Sequence, residues 1–222
     1  MKKILNLLKK YNTPILSDAL DSLNIDGGLI NIKPQIDSCN IVGIAFTVKY
    51  GIPTDYDKFI GKAADFIDDV NNNNIIILAN NGRTDCTVWG GILTKMAKIK
   101  NIQGTIIDGM CRDIEDIVHY NYPVFSKGIY MKSGKSRTIL TNIQVPVYIG
   151  KTAIHPGDFI RGDSNGVIVI PQNIINEVLI RAEYIQKTET CIISAIENNM
   201  PLKIARLKYK YHRPWEKNNF NE

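Results

Sequence analysis

The sequence predicts an α/β protein built around a parallel sheet, and three stretches read in order carry that expectation. Ile75-Ile-Ile-Leu-Ala79 is a short continuous apolar run of the kind found in strands buried on both faces. Trp89-Gly-Gly-Ile-Leu-Thr-Lys-Met-Ala97 has helical spacing, and Gly104-Thr-Ile-Ile107 is a second buried-strand pattern. Strand, polar loop, helix, strand, loop and helix make a β-α-β crossover. Such a crossover puts the loops after both strands on one sheet edge, where open α/β sheets bind ligands.

The other elements fall around this unit. Ile4, Leu5, Leu7 and Leu8 predict a short amphipathic helix, broken by Thr13-Pro14 before a second helix over residues 17–23, with Ser17 and Asp18 as caps. Ile41-Val-Gly-Ile-Ala-Phe-Thr-Val-Lys49 has the β-branched and aromatic content of a strand. Residues 55–66 carry helical spacing through Phe59, Ala63 and Phe66, and residues 71–74 form a polar turn. Asn80-Asn-Gly-Arg-Thr-Asp-Cys-Thr87 reads as a long loop after the Ile75 strand. Pro123-Val-Phe125 precedes a basic loop over residues 127–137, followed by a strand over residues 145–149. Phe159 to Pro171 reads as a hairpin around Asn165-Gly166, with Asp158 and Asp163 as turn residues and His155 in a loop. Residues 174–198 form a long amphipathic helix carrying Glu183 and Glu189. The chain therefore divides into a domain over residues 1–199 and a basic, aromatic tail over 200–222.

Composition narrows the function classes. The 222 residues are 44% hydrophobic and 22% charged, an ordinary globular balance, and the net charge of +5 is mild and partly confined to the ends. No basic stripe interleaves with aromatics, so the sequence argues against nucleic acid as a partner. Cys39, Cys86, Cys111 and Cys191 show neither a C-x-x-C pair nor a zinc spacing, as expected of reduced thiols in a cytoplasmic protein. The apolar stretch at the N-terminus is too short for a signal peptide, and no run is long enough to span a membrane. No glycine-rich cofactor loop with a downstream acidic residue supports a methyltransferase.

The candidate site lies in Asp108-Gly-Met-Cys-Arg-Asp-Ile-Glu-Asp116. Asp108-Gly109 is a turn signal, which places Arg112 and Asp113 just past a strand's carboxyl end. A guanidinium grips a carboxylate through two parallel hydrogen bonds, and an adjacent carboxylate can hold Mg²⁺ directly or through water. Structure alone offers another reading: Asp113 as a helix N-cap with Asp116 in an acidic first turn. Gly90-Gly91 at a helix start leaves backbone N–H groups uncovered for an oxyanion, or else permits close packing under Trp89. Cys111 has no neighbouring base to make it a nucleophile.

Several separated strings resemble the RraA-like family, which includes the class II pyruvate aldolases and the regulator of ribonuclease E activity. They are Ser17-Asp-Ala-Leu20, Val42-Gly-Ile-Ala-Phe-Thr47, Trp89-Gly-Gly-Ile-Leu93, Asp108 to Asp113, Pro123-Val-Phe125, and Pro156-Gly-Asp158 through Gly166-Val-Ile-Val-Ile-Pro171. The resemblance implies a compact β/β/α swivelling-type domain, a central sheet flanked by helices, assembled as a homotrimer or homohexamer with sites at subunit interfaces. It implies that Arg112 binds the carboxylate and enolate oxygen of a small 2-oxo acid, and that Asp113 holds Mg²⁺ or Mn²⁺. Backbone N–H groups of Gly90, Gly91, Ile92 and Leu93 would cradle the substrate carboxylate.

The activity so implied is retro-aldol cleavage of a 4-hydroxy-2-oxo acid to pyruvate, with oxaloacetate decarboxylation through the same enolate. The chain departs from the aldolases at Gly91, where they commonly carry Asp or Glu for proton transfer. Asp85, upstream, is the carboxylate that could serve instead. Lys132, Lys135 and Arg137 could meet the substrate's distal acid. The alternative is a non-catalytic ring that binds an RNA-processing protein; the retained Arg112-Asp113 pair favours the enzyme, because the regulator branch lacks the aspartate.

Overall fold

The computed structural model describes residues 1–37, 39–54 and 64–216. In chain order the helices are α1 (Lys2–Leu8), α2 (Thr13–Asp21), α3 (Gly91–Ile99), α4 (Ile114–His119), α5 (Ile175–Glu197) and α6 (Leu202–Lys208). The strands are β1 (Lys33–Pro34), β2 (Ile41–Gly51), β3 (Asn74–Thr87), β4 (Gly104–Cys111), β5 (Val124–Ser126), β6 (Gly128–Ile129), β7 (Ile139–Ile143), β8 (Val147–Ile149), β9 (Thr152–Ile154), β10 (Phe159–Asp163) and β11 (Gly166–Ile170).

Strands β2, β3, β4 and β5 pair in parallel, so the predicted crossover forms the middle of the sheet. The full order is β1-β5-β4-β3-β2-β10-β11, with β6 added to β4 and β7 to β2. A bridge from Gly28 to Ile168 and the packing of β1 near β11 bring the two edges together into a nearly closed, barrel-like sheet. One layer packs α3, α4 and the 3₁₀ turn Asp65–Asp69 on the sheet through Phe66, Trp89, Ala97, Ile117 and Tyr122. The barrel interior holds Ile75, Ile77, Ile106, Phe125, Ile160 and Val169. Helices α1, α2 and α5 cover the β10–β11 hairpin through Leu8, Leu16, Leu20, Val178 and Ala182. The α/β class, the central parallel unit, the β2 strand, the hairpin and the long α5 helix are as the sequence predicts. Residues 55–63 of the predicted helix lie outside the described residues; Phe66 sits in the 3₁₀ turn.

Three local expectations are corrected. Pro14 opens α2 rather than preceding it: Asn12 is the N-cap and accepts from the Ile15 N–H at 3.0 Å, while a proline in the first turn loses no helical bond. Ser17 and Asp18 are therefore mid-helix residues, not caps. The polar stretch after Ala79 is strand, because β3 runs on to Thr87 and absorbs the extra residues in register shifts at Ala79/Arg83 and Arg83/Thr87. Asp108-Gly109 makes no turn but lies inside β4: the buried Asp108 carboxylate accepts from the Gly82 N–H at 2.7 Å and pairs with Lys127 at 3.0 Å. The tail contains α6, and its following turns carry Trp215 back onto the α2–α5 layer.

Candidate active site

Strand β4 delivers the site. It ends at Cys111, and Arg112 and Asp113 follow immediately, just past the carboxyl end as expected. The Arg112 N–H donates to the Trp89 carbonyl at 3.2 Å, tying the turn after β4 to the start of α3. Asp113 takes the left-handed backbone (φ 57°, ψ 51°), a conformation that aspartate tolerates better than most residues. That kink swings its side chain away from its own helix. Asp113 stands at the N-cap position of α4 but makes no capping hydrogen bond there.

Its carboxylate caps the neighbouring helix instead, with Oδ2 accepting from the Gly91 N–H at 2.8 Å. The Arg112 Nε lies 3.7 Å from the same oxygen, and both side chains remain partly open, at 37% and 40% exposure. The guanidinium makes no hydrogen bond with a described residue, so its fork is not filled by the chain's own acceptors. Beyond Gly91, the Thr94 N–H is the first to bond back, to the Gly90 carbonyl at 3.0 Å. The earlier N–H groups of α3, Ile92 and Leu93 included, have no partner within the helix and sit at its positive end.

The glycine pair is explained by space. A Cβ on Gly90 would stand 2.6 Å from Asp113 Oδ2 and 3.1 Å from Arg112 Nε. One on Gly91 would stand 2.0 Å from Asp116 Oδ2 and 3.5 Å from Asp113 Oδ2. The glycines thus leave room for Arg112, Asp113 and Asp116, and the Gly91 N–H, expected to cradle a substrate carboxylate, is taken by Asp113 instead. Asp116 is a further carboxylate beside these residues that sequence reasoning did not assign to the site. Its carboxylate fills the volume where a side chain at position 91 would begin, a contact between two helices for which the sequence carries no periodic signal.

The remaining candidates are placed elsewhere. Both oxygens of Asp85 accept from Arg83, at 2.9 and 2.8 Å, and that guanidinium holds the Asp85 carboxyl below the usual range. Arg83 also donates to the Arg137 carbonyl, while Arg137 turns inward onto the Ser133 and Lys135 carbonyls at 3.2 and 3.1 Å. The Lys132 carbonyl accepts from the Thr87 N–H at 3.0 Å, so the basic loop is strapped across the end of β3. Cys111 is fully buried, and burial raises its thiol pKa, which keeps it protonated and unreactive.

Asp113 and Asp116 fit a divalent metal in one specific manner. Mg²⁺ binds through one or two carboxylates and keeps water or substrate oxygens in its other positions. Among the described residues no three His, Cys, Asp or Glu side chains converge as a closed cage, so an ion held by these carboxylates would complete its coordination with water or substrate oxygens.

A nearly closed sheet flanked by helices, with a guanidinium, two carboxylates and a helix N-terminus gathered at one strand edge, defines the α/β class of this protein. The chain belongs to the RraA-like (Aldolase/RraA) family, whose profile matches residues 13–169. It is 43% identical over 97% of its length to the protein DlpA of Legionella pneumophila, of which it spans 35%. It is 33% identical over 90% of its length to a Halalkalibacterium halodurans protein named "Putative 4-hydroxy-4-methyl-2-oxoglutarate aldolase", covering 91% of that protein. A crystal structure of an uncharacterized Pseudomonas syringae protein superposes with a TM-score of 0.88 at 44% identity, covering 94% of this chain and 95% of that one. No helix among the described residues is long and apolar enough to cross a membrane.

Proposed function

We propose that this protein is a divalent-metal-dependent lyase that cleaves a 4-hydroxy-2-oxo acid to pyruvate and a second carbonyl compound. The observation that carries the reading is the convergence of Arg112, Asp113 and Asp116 on the Gly90-Gly91 start of α3. A 2-oxo acid presents a carboxylate and an adjacent carbonyl oxygen, and the free guanidinium fork of Arg112 suits both. The Ile92 and Leu93 N–H groups suit the carboxylate. Two carboxylates against one guanidinium leave the site short of positive charge for an anionic substrate, which argues for a divalent cation held by Asp113 and water. When bound, that ion acts as a Lewis acid toward the 2-oxo oxygen.

In retro-aldol cleavage Asp116, directly or through water, takes the C4 hydroxyl proton, the C4 oxygen becomes a carbonyl as the C3–C4 bond breaks, and that bond's electron pair leaves an enolate on the pyruvyl fragment. Arg112 stabilises the charge that develops on that oxygen. The enolate carbon C3 must then take up a proton, and Asp116, in the space a position-91 carboxylate would fill, carries it directly or through water. Oxaloacetate yields the same enolate on losing carbon dioxide, so its decarboxylation needs no further residue.

The reading includes assembly into a trimer or hexamer. Ile92, 89% exposed in the first turn of α3, and Met131, 77% exposed just beyond β6, flank the site and would be covered by a neighbouring subunit. The test is pyruvate release from 4-hydroxy-4-methyl-2-oxoglutarate and from oxaloacetate, with Mg²⁺ or with chelator. Release that requires metal and is abolished in Arg112→Ala and Asp113→Ala supports the lyase. A folded oligomer with neither turnover nor metal binding would refute it and favour a non-catalytic ring.

A further inference from the structure

Helix α6 carries its largest apolar side chains on its outer face. It packs on the end of α5 through the small Ala205, which is buried against Ile192 and Ala195 with Met200 and Tyr209 beside them. Ile204 and Leu207, three residues apart and so on one face, point outward at 50% and 69% exposure, and Leu202 at the first position is half exposed too. A helix that only completed a core would turn these side chains inward. At about 3.6 residues per turn, Lys203 and Lys208 fall on opposite flanks of the Ile204–Leu207 ridge.

Charge is the second observation. From Asn198 to Trp215 the chain carries Lys203, Arg206, Lys208, Lys210 and Arg213 and no carboxylate. Arg206 lies over the Tyr211 ring and Lys208 over that of Tyr209, contacts that leave both cations charged. Arg213 pairs with Glu216 at 3.1 Å, where both side chains are exposed. Among the described residues Lys203 and Lys210 are in no ion pair. The α6 segment thus joins an exposed apolar ridge to an uncompensated positive charge.

We propose that this face rests reversibly on an anionic phospholipid surface. Ile204 and Leu207 enter the boundary between headgroups and acyl chains, while the flanking lysines lie along their own stems and reach the lipid phosphates. Each cation near such a surface adds attraction, and each apolar side chain adds burial. Other occupants fit less well. A second copy meeting this face with the same face would bring like charges together with no carboxylate between them. RNA would use the cations and leave the apolar ridge in water. The surface is independent of the lyase reading, since the cluster that seats α6 contains no residue of α3 or α4.

Co-sedimentation of the full-length protein with vesicles tests the proposal, using phosphatidylcholine alone and phosphatidylcholine mixed with phosphatidylglycerol. The protein binds the mixed vesicles and not the neutral ones, and added NaCl weakens the binding. Lys203→Gln with Lys208→Gln weakens it by about tenfold or more, at about fivefold for each cation near the surface. Leu207→Gln weakens it by about tenfold without lowering the melting temperature, because that side chain lies outside the core. Pyruvate release is the same in these variants as in the wild type, so a failure of either reading leaves the other standing. No binding to the mixed vesicles, equal binding to neutral ones, or undiminished binding by Leu207→Gln would overturn the proposal. A drop in oligomeric mass in Leu207→Gln would also do so, by marking the ridge as a contact between copies. So would single-stranded RNA binding in place of vesicle binding.

Discussion

The carboxylate at position 116 is the sharpest point at which the proposed chemistry can fail. Asp116→Asn keeps the side chain's size while removing its ability to take and give a proton. If Asp116 carries the proton to the enolate, kcat falls by ~10²–10⁴, the usual worth of a positioned general acid or base. KM should change far less, because Arg112 and the α3 N–H groups remain. The geometry also defines a rescue. A Cβ on Gly91 points straight at Asp116 Oδ2, 2.0 Å away and well inside the 3.0 Å that real contacts respect. Gly91→Asp alone therefore forces two carboxylates into one volume and lowers activity. In Gly91→Asp with Asp116→Ala, which vacates that volume, the carboxylate instead enters from α3 and recovers most of the loss. The assay is coupled pyruvate release with Mg²⁺, reporting kcat and KM separately, with circular dichroism to confirm folding. Wild-type kcat in Asp116→Asn, or a folded double variant that is no faster than Asp116→Asn, would refute the assignment.

Other expectations follow from single features. Asp85→Asn leaves pyruvate release within about threefold, because the Asp85 carboxylate is engaged by Arg83; a loss comparable to that in Asp116→Asn would make Asp85 the proton carrier. Cys111→Ala likewise retains turnover, since burial keeps that thiol protonated, and iodoacetamide should modify Cys111 only on unfolding. Ile77→Ala, at a fully buried barrel position, costs ~2–5 kcal/mol in denaturant titrations. Asp163 is pushed up by burial but held below its usual range by the Thr13 N–H and hydroxyl and by Asn165. Its depressed folded-state pKa contributes stability above the unfolded value of ~3.9 that is lost as pH falls through the folded value. Asp163→Asn should therefore lower the melting temperature at neutral pH, with the gap from wild type narrowing below about pH 4.

What the sequence made legible was what repeats or is local. The apolar run of β3, the helical spacing of α3 and the β-branched content of β4 each report burial on their own, so the crossover and the edge that carries Arg112 and Asp113 could be read directly. The hairpin followed from Asn165-Gly166 for the same reason. The errors arose where polar residues were assigned by local propensity and tertiary contacts decided otherwise. Asp108-Gly109 has the composition of a turn, but Gly82 and Lys127 satisfy that aspartate inside a continuous strand. Residues 80–87 are polar yet extended, because β3 continues as bulged strand beside β4.

The site shows the same division at closer range. Arg112 and Asp113 were readable from their position after a strand, whereas the contact of Asp116 with Gly91 joins residues of two helices and leaves no periodic trace. Either the capping or the catalytic reading of Asp113 could have stood on spacing alone. Its left-handed backbone decides against self-capping, since the carboxylate is turned to the Gly91 N–H of α3. That turn also accounts for Asp116: with the cap position of α4 turned outward, the first turn of α4 presses against α3, and only glycine at position 91 leaves room for a carboxylate there. The glycine that looked like the loss of an acidic residue is the space into which another acidic residue has moved.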